Sequence, residues 1–184
     1  MKRLLIIGVL SFLLLSPCEA QQRMRDVFLQ MPDSLLPYLT EHNRLDFIDF
    51  IDSNMKAEVT NGLDGKSEML SLDDESLALR VSSSMQVAMR LMPVNEPIDS
   101  CQQVVCMITT YGKDAPESKV EVYSLKWRLL DVSAHLSLPA PPYVADFVIG
   151  SAALTLKESN ALDPIANEEQ TQTAPWLKNI EWEP

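Results

Sequence analysis

Three side chains that could form a hydrolytic triad lie close together in the sequence. Asp131, Ser133 and His135 carry the carboxylate, hydroxyl and imidazole that nucleophilic acyl transfer requires. Residues so close in sequence rarely reach triad geometry, and no glycine turn accompanies them to form an oxyanion hole. The other histidine, His42, is distant, so a metal site of two histidines and a carboxylate has no motif spacing behind it. We therefore expect no catalytic residue, no metal and no cofactor, and enzymatic activity is disfavoured.

Three carboxylates recur at every third position of a predicted helix. Asp46, Asp49 and Asp52 could be read as a calcium site or as acid–base groups. A calcium loop needs closely spaced oxygen ligands around a glycine turn, which a helix does not supply. We interpret the three residues as a solvated acidic face.

Cys101 and Cys106 are the cysteines that remain once the first twenty residues are removed. In an oxidising compartment such a pair is typical of a disulfide, and the spacing does not fit a C-x-x-C redox motif. Their odd separation would place the side chains on opposite faces of one strand, so a bond requires Cys101 to lie in a bend before it. A local disulfide and two reduced, half-buried thiols both remain open.

The N-terminus has the pattern of an export signal. Lys2 and Arg3 precede an apolar run over residues 4–15, which as a helix would span only ~18 Å of a ~30 Å hydrocarbon core. This favours a signal peptide over residues 1–20, cleaved before Gln21, and a periplasmic or secreted protein with no direct membrane insertion. The alternative is a lipid anchor on Cys18, although Pro17 departs from the usual lipidation pattern.

Composition supports one folded domain over residues 21–184. The 184 residues are 46% hydrophobic and 22% charged, which is ordinary for a globular protein. Acidic side chains outnumber basic ones by 26 to 15, giving a formal net charge of −11. That charge excludes a strongly basic nucleic-acid-binding protein and disfavours adsorption to anionic lipid.

Hydrophobic periodicity predicts helices first and strands afterwards. Helices are expected over residues 22–30 and 40–54, the second with an apolar stripe of Leu45, Ile48, Ile51 and Met55 widened by Phe47 and Phe50. Period-two alternation predicts hairpins from residues 57–63 with 68–72 and from 77–82 with 85–92, ended by Pro93 and Pro97. A third hairpin joins 103–111 to 119–130. The fold class is therefore α+β, with N-terminal helices packed on an antiparallel β-meander sheet.

The C-terminal third gives weaker signals. Tyr143–Phe147 is expected to open a short helix, and the polar residues 157–175 are expected to be mobile. Trp176, Leu177, Ile180 and Trp182 would dock the C-terminus as a last strand.

Several segments together resemble a known family. They are Met31–Phe50, Met55–Asn61, Gly65–Met69, Leu77–Pro93 and Pro175–Glu183. In these segments the chain is similar to the exported Bacteroidales family known as domain of unknown function 3256. The resemblance implies a secreted or envelope α+β protein, and it carries over no activity and no catalytic residues.

Two functional classes follow from these observations. The first is a non-catalytic envelope protein that binds another envelope protein through a sheet edge or a helix–sheet groove. The second is a small-ligand-binding or hydrolytic protein whose pocket lies near Trp127 and His135, with Tyr123 and Tyr143 beside them. The first class is favoured because no catalytic motif is present.

Overall fold

A seven-stranded antiparallel sheet lies at the centre of the protein. The structure is a computed structural model that describes residues 22–159 and 178–184. The strands follow one another in space in chain order, which confirms the predicted antiparallel meander. They are β1 (Glu58–Thr60), β2 (Lys66–Leu72), β3 (Ser76–Ser82), β4 (Met85–Ile98), β5 (Cys101–Tyr111), β6 (Glu117–Ser124) and β7 (Leu129–Leu130).

The hairpins of the first four strands agree with the period-two pattern. β1 and β2 flank the turn at Asp64–Gly65, and Leu79 of β3 lies opposite Val87 of β4. Pro93 and Pro97 were expected to end this set, and that expectation was wrong. β4 continues through both prolines to Ile98. Pro93 is paired with Gln103 of β5, but its nitrogen faces the β3 side, as that of Leu91 does, where the pairing with β3 has ended at Arg90. Pro97 lies within the register shift between β4 and β5.

Two short helices precede the sheet and form a minor part of the fold. They are α1 (Met24–Leu29) and α2 (Glu41–Asp52). Thr40 caps α2, since its hydroxyl accepts a hydrogen bond from the Asn43 N–H and the Asn43 side chain accepts one from the Thr40 N–H. The α+β class is therefore right at the coarse level, with far more strand than helix.

The buried face of α2 differs from the predicted stripe. Phe47 and Ile48 are buried as expected, whereas Leu45 is 41% exposed and Met55 is 58% exposed. The third buried position of the helix is Arg44, whose guanidinium is hydrogen-bonded inside the protein. A buried arginine is invisible to a search for apolar periodicity, so the stripe was placed about a quarter-turn away.

The side of the large sheet that carries the helices is called the front face below. Its hydrophobic cluster joins side chains of both helices to alternate residues of the strands. The fully buried members with the largest side chains are Met24, Phe28, Met31, Leu36, Leu39, Phe47, Leu77, Leu79 and Met89. Helices and sheet thus share one core on this side.

A second, three-stranded antiparallel sheet contributes to the other side, called the back face. It consists of β8 (Tyr143–Phe147), β9 (Ala153–Glu158) and β10 (Lys178–Glu181), in the spatial order β10-β9-β8. Tyr143–Phe147 is therefore a strand, and the predicted helix is wrong. Tyr143 and Ala145 are buried while Asp146 is exposed, an alternation that suits a strand lying on a sheet. The predicted C-terminal strand is confirmed in β10.

The back-face cluster is separate from the front one. It is built from alternate residues of β4 to β6 together with the inner side chains of the second sheet. Its most deeply buried members are Met92, Val104, Cys106, Ile108, Val122, Leu136 and Leu154. The molecule therefore has three layers: helices, the large sheet and the small sheet.

β6 ends at Ser124, so the strand predicted to run to residue 130 is interrupted. Trp127 has a φ of 60° in the turn that follows, and its indole N–H donates to the Val27 carbonyl at 3.1 Å. The side chain is 8% exposed and lies 5.7 Å from the Tyr123 ring, centroid to centroid. Trp127 is therefore a core anchor that reaches the core from a turn.

Several predictions fall outside the described residues. These are the signal peptide, the alternative lipid site at Cys18, Trp176 and Leu177, and all but the first three residues of the segment 157–175. No helix in the described ranges is long and apolar enough to cross a membrane.

Candidate functional site

The three residues of the sequence triad are not arranged as a triad. Asp131 accepts hydrogen bonds from the Ser133 hydroxyl at 2.7 Å and from the Ser133 N–H at 3.0 Å, and so closes a short 3-10 turn. His135 stacks on Trp182 with ring centroids 4.6 Å apart, and its Nδ1 lies 2.9 Å from the Glu183 carbonyl oxygen. The histidine therefore holds the C-terminal segment.

Among the described residues, Trp127 and His135 do not line a common pocket, contrary to the prediction. Trp127 and Tyr123 belong to the front-face cluster, whereas Tyr143 and the Trp182 ring that stacks on His135 belong to the back-face cluster. The large sheet separates the two pairs. The alternation of residues 119–130 correctly places Trp127 on the face of Tyr123, and the error arose because it carries no information on His135 and Tyr143, which lie on the other side of the sheet.

The acidic face of α2 is solvated, as predicted. Asp46, Asp49 and Asp52 are exposed, and Asp52 accepts two hydrogen bonds from Arg25. Within residues 22–159 and 178–184, no group of three or more histidine, cysteine, aspartate or glutamate side chains could hold a metal ion.

The two cysteines lie in the same strand and point to opposite faces of the sheet. Cys101 packs against the front-face cluster, and Cys106 belongs to the back-face cluster. Five residues of extended strand separate their Cα atoms by roughly 16 Å, whereas a disulfide needs about 4.4–6.8 Å. A bond between them would require β5 to move. Burial raises the pKa of the Cys106 thiol to about 12, and Arg90 offsets only part of this effect.

The feature best suited to binding is an open groove on the back face. The small sheet covers β5, β6 and the end of β4, and it leaves much of the back face of β2, β3 and the start of β4 open. The resulting cavity has a volume of about 540 Å³. We call it the back-face groove; its floor consists of Leu70, Ala78, Ala88 and Ile108, and its rim includes Gln86, Thr110, Lys113, Asp146 and Lys157.

Strand register places three of the floor residues in one line, while Leu70 lies beside them at the bulge of β2. Ala78 lies opposite Ala88, Ala88 opposite Ile108, and Ile108 opposite Val120 on the next strand. Val120 and Ile108 are buried beneath the second sheet, Ala78 and Ala88 are half-buried, and Leu70 is 44% exposed. The same apolar row is therefore core at one end and open floor at the other.

A polar row runs beside the apolar one. Arg80 lies opposite Gln86, Gln86 opposite Thr110, and Thr110 opposite Ser118. Ser118 is buried, its hydroxyl is 2.8 Å from the Thr110 hydroxyl, and it accepts a hydrogen bond from the Ala145 N–H at 3.0 Å. The polar row thus ends where β8 is attached, and this attachment sets one wall of the groove.

Arg90 fixes the far end of the same wall. Its Nη1 donates at 2.8 Å to the carbonyls of Val148 and Ser151, on the two sides of the β8–β9 turn. Its guanidinium carbon lies 4.7 Å above the centre of the Phe147 ring. Because charge-assisted bonds and a cation–π contact hold the hairpin together, the second sheet has a defined position on the first.

Two lysines contribute positive charge to the rim of the back-face groove. Lys113 and Lys157 are exposed and form no salt bridge with any side chain that the structure describes, whereas Lys56, Lys66 and Lys119 each pair with a glutamate. The acidic rim residue, Asp146, accepts a hydrogen bond from the Phe147 N–H at 2.8 Å. In a chain with so many carboxylates, two unpaired ammonium groups at one groove provide a local positive site.

Two further open cavities border the second sheet and are less suited to binding. One, of about 540 Å³, lies under the β8–β9 turn beside Arg90, whose Nη1 is already engaged there. The other, of about 470 Å³, lies between Tyr143 and the loop at Leu138. The back-face groove differs from both in combining an apolar floor with unpaired lysines.

The sequence held only a faint signal for the groove. Ala78 and Ala88 are small residues at alternate positions of two strands that the period-two pattern predicts. No periodicity could show that a distant sheet covers part of the face they share and leaves the rest open.

A helix-backed antiparallel meander carrying a second sheet and an open groove defines the structural class of the protein. The family model described as Protein of unknown function (DUF3256) matches residues 18–172. The chain belongs to that family, which confirms the resemblance found in the sequence. A search of curated proteins found no match.

A solved structure supports the same fold. The chain is similar to "Structure of a domain of an uncharacterized protein from Porphyromonas gingivalis W83", with 20% sequence identity and a TM-score of 0.65. The alignment covers 87% of this chain and 92% of that chain. At this identity the similarity shows the fold alone.

Proposed function

We propose that the protein is an exported, non-catalytic binding module of the cell envelope that holds an extended segment of another protein in the back-face groove. The observation that carries the proposal is the apolar row whose open end, at Ala78 and Ala88, lies beside the wall formed by β8 and β9. Small floor residues let a backbone approach closely, and an open groove suits a chain that enters and leaves at both ends.

The sheet edges are less suitable for binding. In β8, the Ala145 N–H is occupied by Ser118 and the Phe147 N–H by Asp146. β1 has three residues, and its Thr60 carbonyl accepts a hydrogen bond from Asn43. Addition of a strand requires a row of unsatisfied backbone groups, so a groove is favoured over an edge.

The front face is less suitable for binding than the back-face groove. The helices packed on this face contribute side chains such as Phe28 and Phe47 that are wholly buried, so a partner would have to displace the core. Binding at the back face leaves this core intact.

The proposed location rests on the N-terminal sequence. Residues 1–20 have the features of a cleaved signal peptide, and we propose a periplasmic or secreted protein, with a lipid anchor at Cys18 as the alternative. The mass of the protein purified from its native cells distinguishes a chain that begins at Gln21 from a lipid-modified chain that begins at Cys18.

A photo-crosslinking amino acid placed at Gln86 tests the binding proposal. Gln86 is exposed on the groove rim, and Asp46, exposed on α2, provides a matched control position. In native cells we expect an adduct with one protein from position 86 and none from position 46. The adduct should disappear when Ala78→Trp fills the groove. Equal adducts from both positions, or adducts that survive filling, would overturn the proposal.

A further inference from the structure

We propose that the segment held in the back-face groove combines an apolar side chain with acidic residues about three or four positions away; this inference rests on the proposed function. The apolar side chain lies over Ala78 and Ala88, and the carboxylates reach Lys113 and Lys157. The partner is thus an extended, acidic stretch of polypeptide.

Both lysines lie at the same end of the groove. Lys113 follows Gly112, whose N–H donates to the Ser84 carbonyl beyond the end of β5. Lys157 lies opposite Val144, next to the Ala145 N–H that is bonded to Ser118. Because Ser118 pairs with Thr110, β9 brings Lys157 to the same end as Lys113. The positive charge of the groove therefore lies on one side of Ala88, toward Ser84.

The spacing follows from strand geometry. Ala88 and Ser84 are four residues apart on or beside β4, a distance of roughly 13 Å at about 3.3 Å per residue. An extended peptide that lies along the groove covers this distance in about four residues. An apolar side chain on the floor and a carboxylate at the lysines are thus compatible with one continuous segment.

The net charge of the protein does not oppose this arrangement. The formal net charge is −11, but charges separated by more than about 8 Å are largely screened at physiological ionic strength. At contact distance the two ammonium groups, which form no salt bridge with the described residues, outnumber the Asp146 carboxylate of the groove lining. The lysines therefore select an acidic segment over a basic one.

A library of random dodecapeptides displayed on phage provides a direct test. The full mature protein is immobilised, and the enriched peptides are synthesised with a fluorophore for anisotropy measurements. Wild type is compared with a Lys113→Ala/Lys157→Ala variant, with Lys126→Ala as the matched control. Lys126 is exposed and without a salt bridge in the described part of the chain, and it lies in the turn before Trp127, outside the groove lining.

We expect enriched peptides to carry two or more acidic residues near an apolar one. Their affinity should fall roughly 5–20-fold in the double lysine variant and stay unchanged in Lys126→Ala. It should also fall in both Ala78→Trp and Gln86→Trp, two variants that obstruct the groove at different depths. Unchanged unfolding curves establish that each variant is folded.

The experiment distinguishes failure of this inference from failure of the proposed function. Peptides that depend on an open groove but are not acidic, or that bind the double lysine variant as well as wild type, would overturn this inference and leave the proposed function standing. If no enriched peptide loses affinity in the two groove-obstructing variants, both the inference and the proposed function are wrong.

Discussion

The two faces of the large sheet are built from the same strands and differ in how they are covered. On the front face, the helices and the Trp127 turn form a core with side chains such as Phe47 and Met89 that are wholly buried. On the back face, the three-stranded sheet covers only part of the seven-stranded sheet, and the side chains of Leu70 and Ala78 remain at least partly exposed. The front face is closed by its core, and the groove that we propose for binding lies on the back face.

The difference shows that a binding site can arise where a covering layer ends. Ala78, Ala88, Ile108 and Val120 form one cross-strand row, and their environment changes from open to buried along it. The strands themselves do not change. The position of the second sheet, fixed by Arg90 and Ser118, determines which part of the row a partner can reach.

The largest expected effect is at the front face. Phe47→Ala removes a wholly buried aromatic side chain and should lower the free energy of unfolding by about 3–5 kcal/mol. Leu45→Ala, on the same helix but 41% exposed, should cost less than about 1 kcal/mol. Chemical denaturation measures both. Similar losses for the two variants would show that α2 does not cover the front face as described.

The second prediction concerns the attachment of the back layer. The Trp182 side chain is 6% exposed, and its indole N–H donates to the Pro93 carbonyl. Trp182→Ala should therefore lower the free energy of unfolding by about 3 kcal/mol. Hydrogen exchange should quicken in β9 and β10 more than in β3. Trp182→Phe keeps an aromatic ring beside His135 but loses the indole N–H, so its loss of unfolding free energy should be intermediate. Uniform acceleration across both sheets would contradict a separately attached layer.

The third prediction uses the buried thiol of the back face. Burial raises the pKa of Cys106 to about 12 from 9.0, so above pH 9.0 the unfolded chain loses this proton before the folded chain does. The free energy of unfolding should therefore be unaffected by this group below pH 9.0 and fall by up to about 1.4 kcal/mol per pH unit above it. Urea denaturation at several pH values compares wild type with Cys106→Ala, which lacks this slope. Parallel curves would show that the thiol is not buried.

The smallest effect on stability is expected on the groove floor. Leu70→Ser changes a side chain that is 44% exposed, and the free energy of unfolding should change by less than about 1 kcal/mol. Binding of groove-dependent peptides should nevertheless weaken, because the floor loses apolar contact. A large loss of stability without loss of binding would reverse the division of roles between the two faces.

Sequence patterns predicted the parts of the fold that depend on neighbouring residues. The alternation in β3 and β4 and the turn at Asp64–Gly65 required only local information. Pro93 was wrongly predicted to end β4, because its effect depends on where the pairing of β4 with β3 ends, on the side that the proline nitrogen faces. The strand at Tyr143–Phe147 failed for a similar reason, since its partners lie in β9 and beneath it on the large sheet.

The back-face groove could not be predicted from the sequence for a related physical reason. Its floor comes from strands near the middle of the chain, and its wall comes from residues 144–157. Lys113 and Lys157 are ordinary surface lysines in the sequence, and only the register of β8 and β9 places them at one end of the groove. A site made by the meeting of two sheets leaves no motif in either sheet.

The order of the strands also bears on how the chain folds. Each strand of the large sheet pairs with its neighbour in sequence, so this sheet can form early through short loop closures. The second sheet joins strands on both sides of residues 159–177 and needs contacts of much greater separation. Until it docks, Val104, Ile108 and Val122 face water on the back of a finished meander. Until the second sheet docks, the back face of the meander is thus expected to be prone to aggregation. A chaperone that shields it would bind the surface that the second sheet later covers.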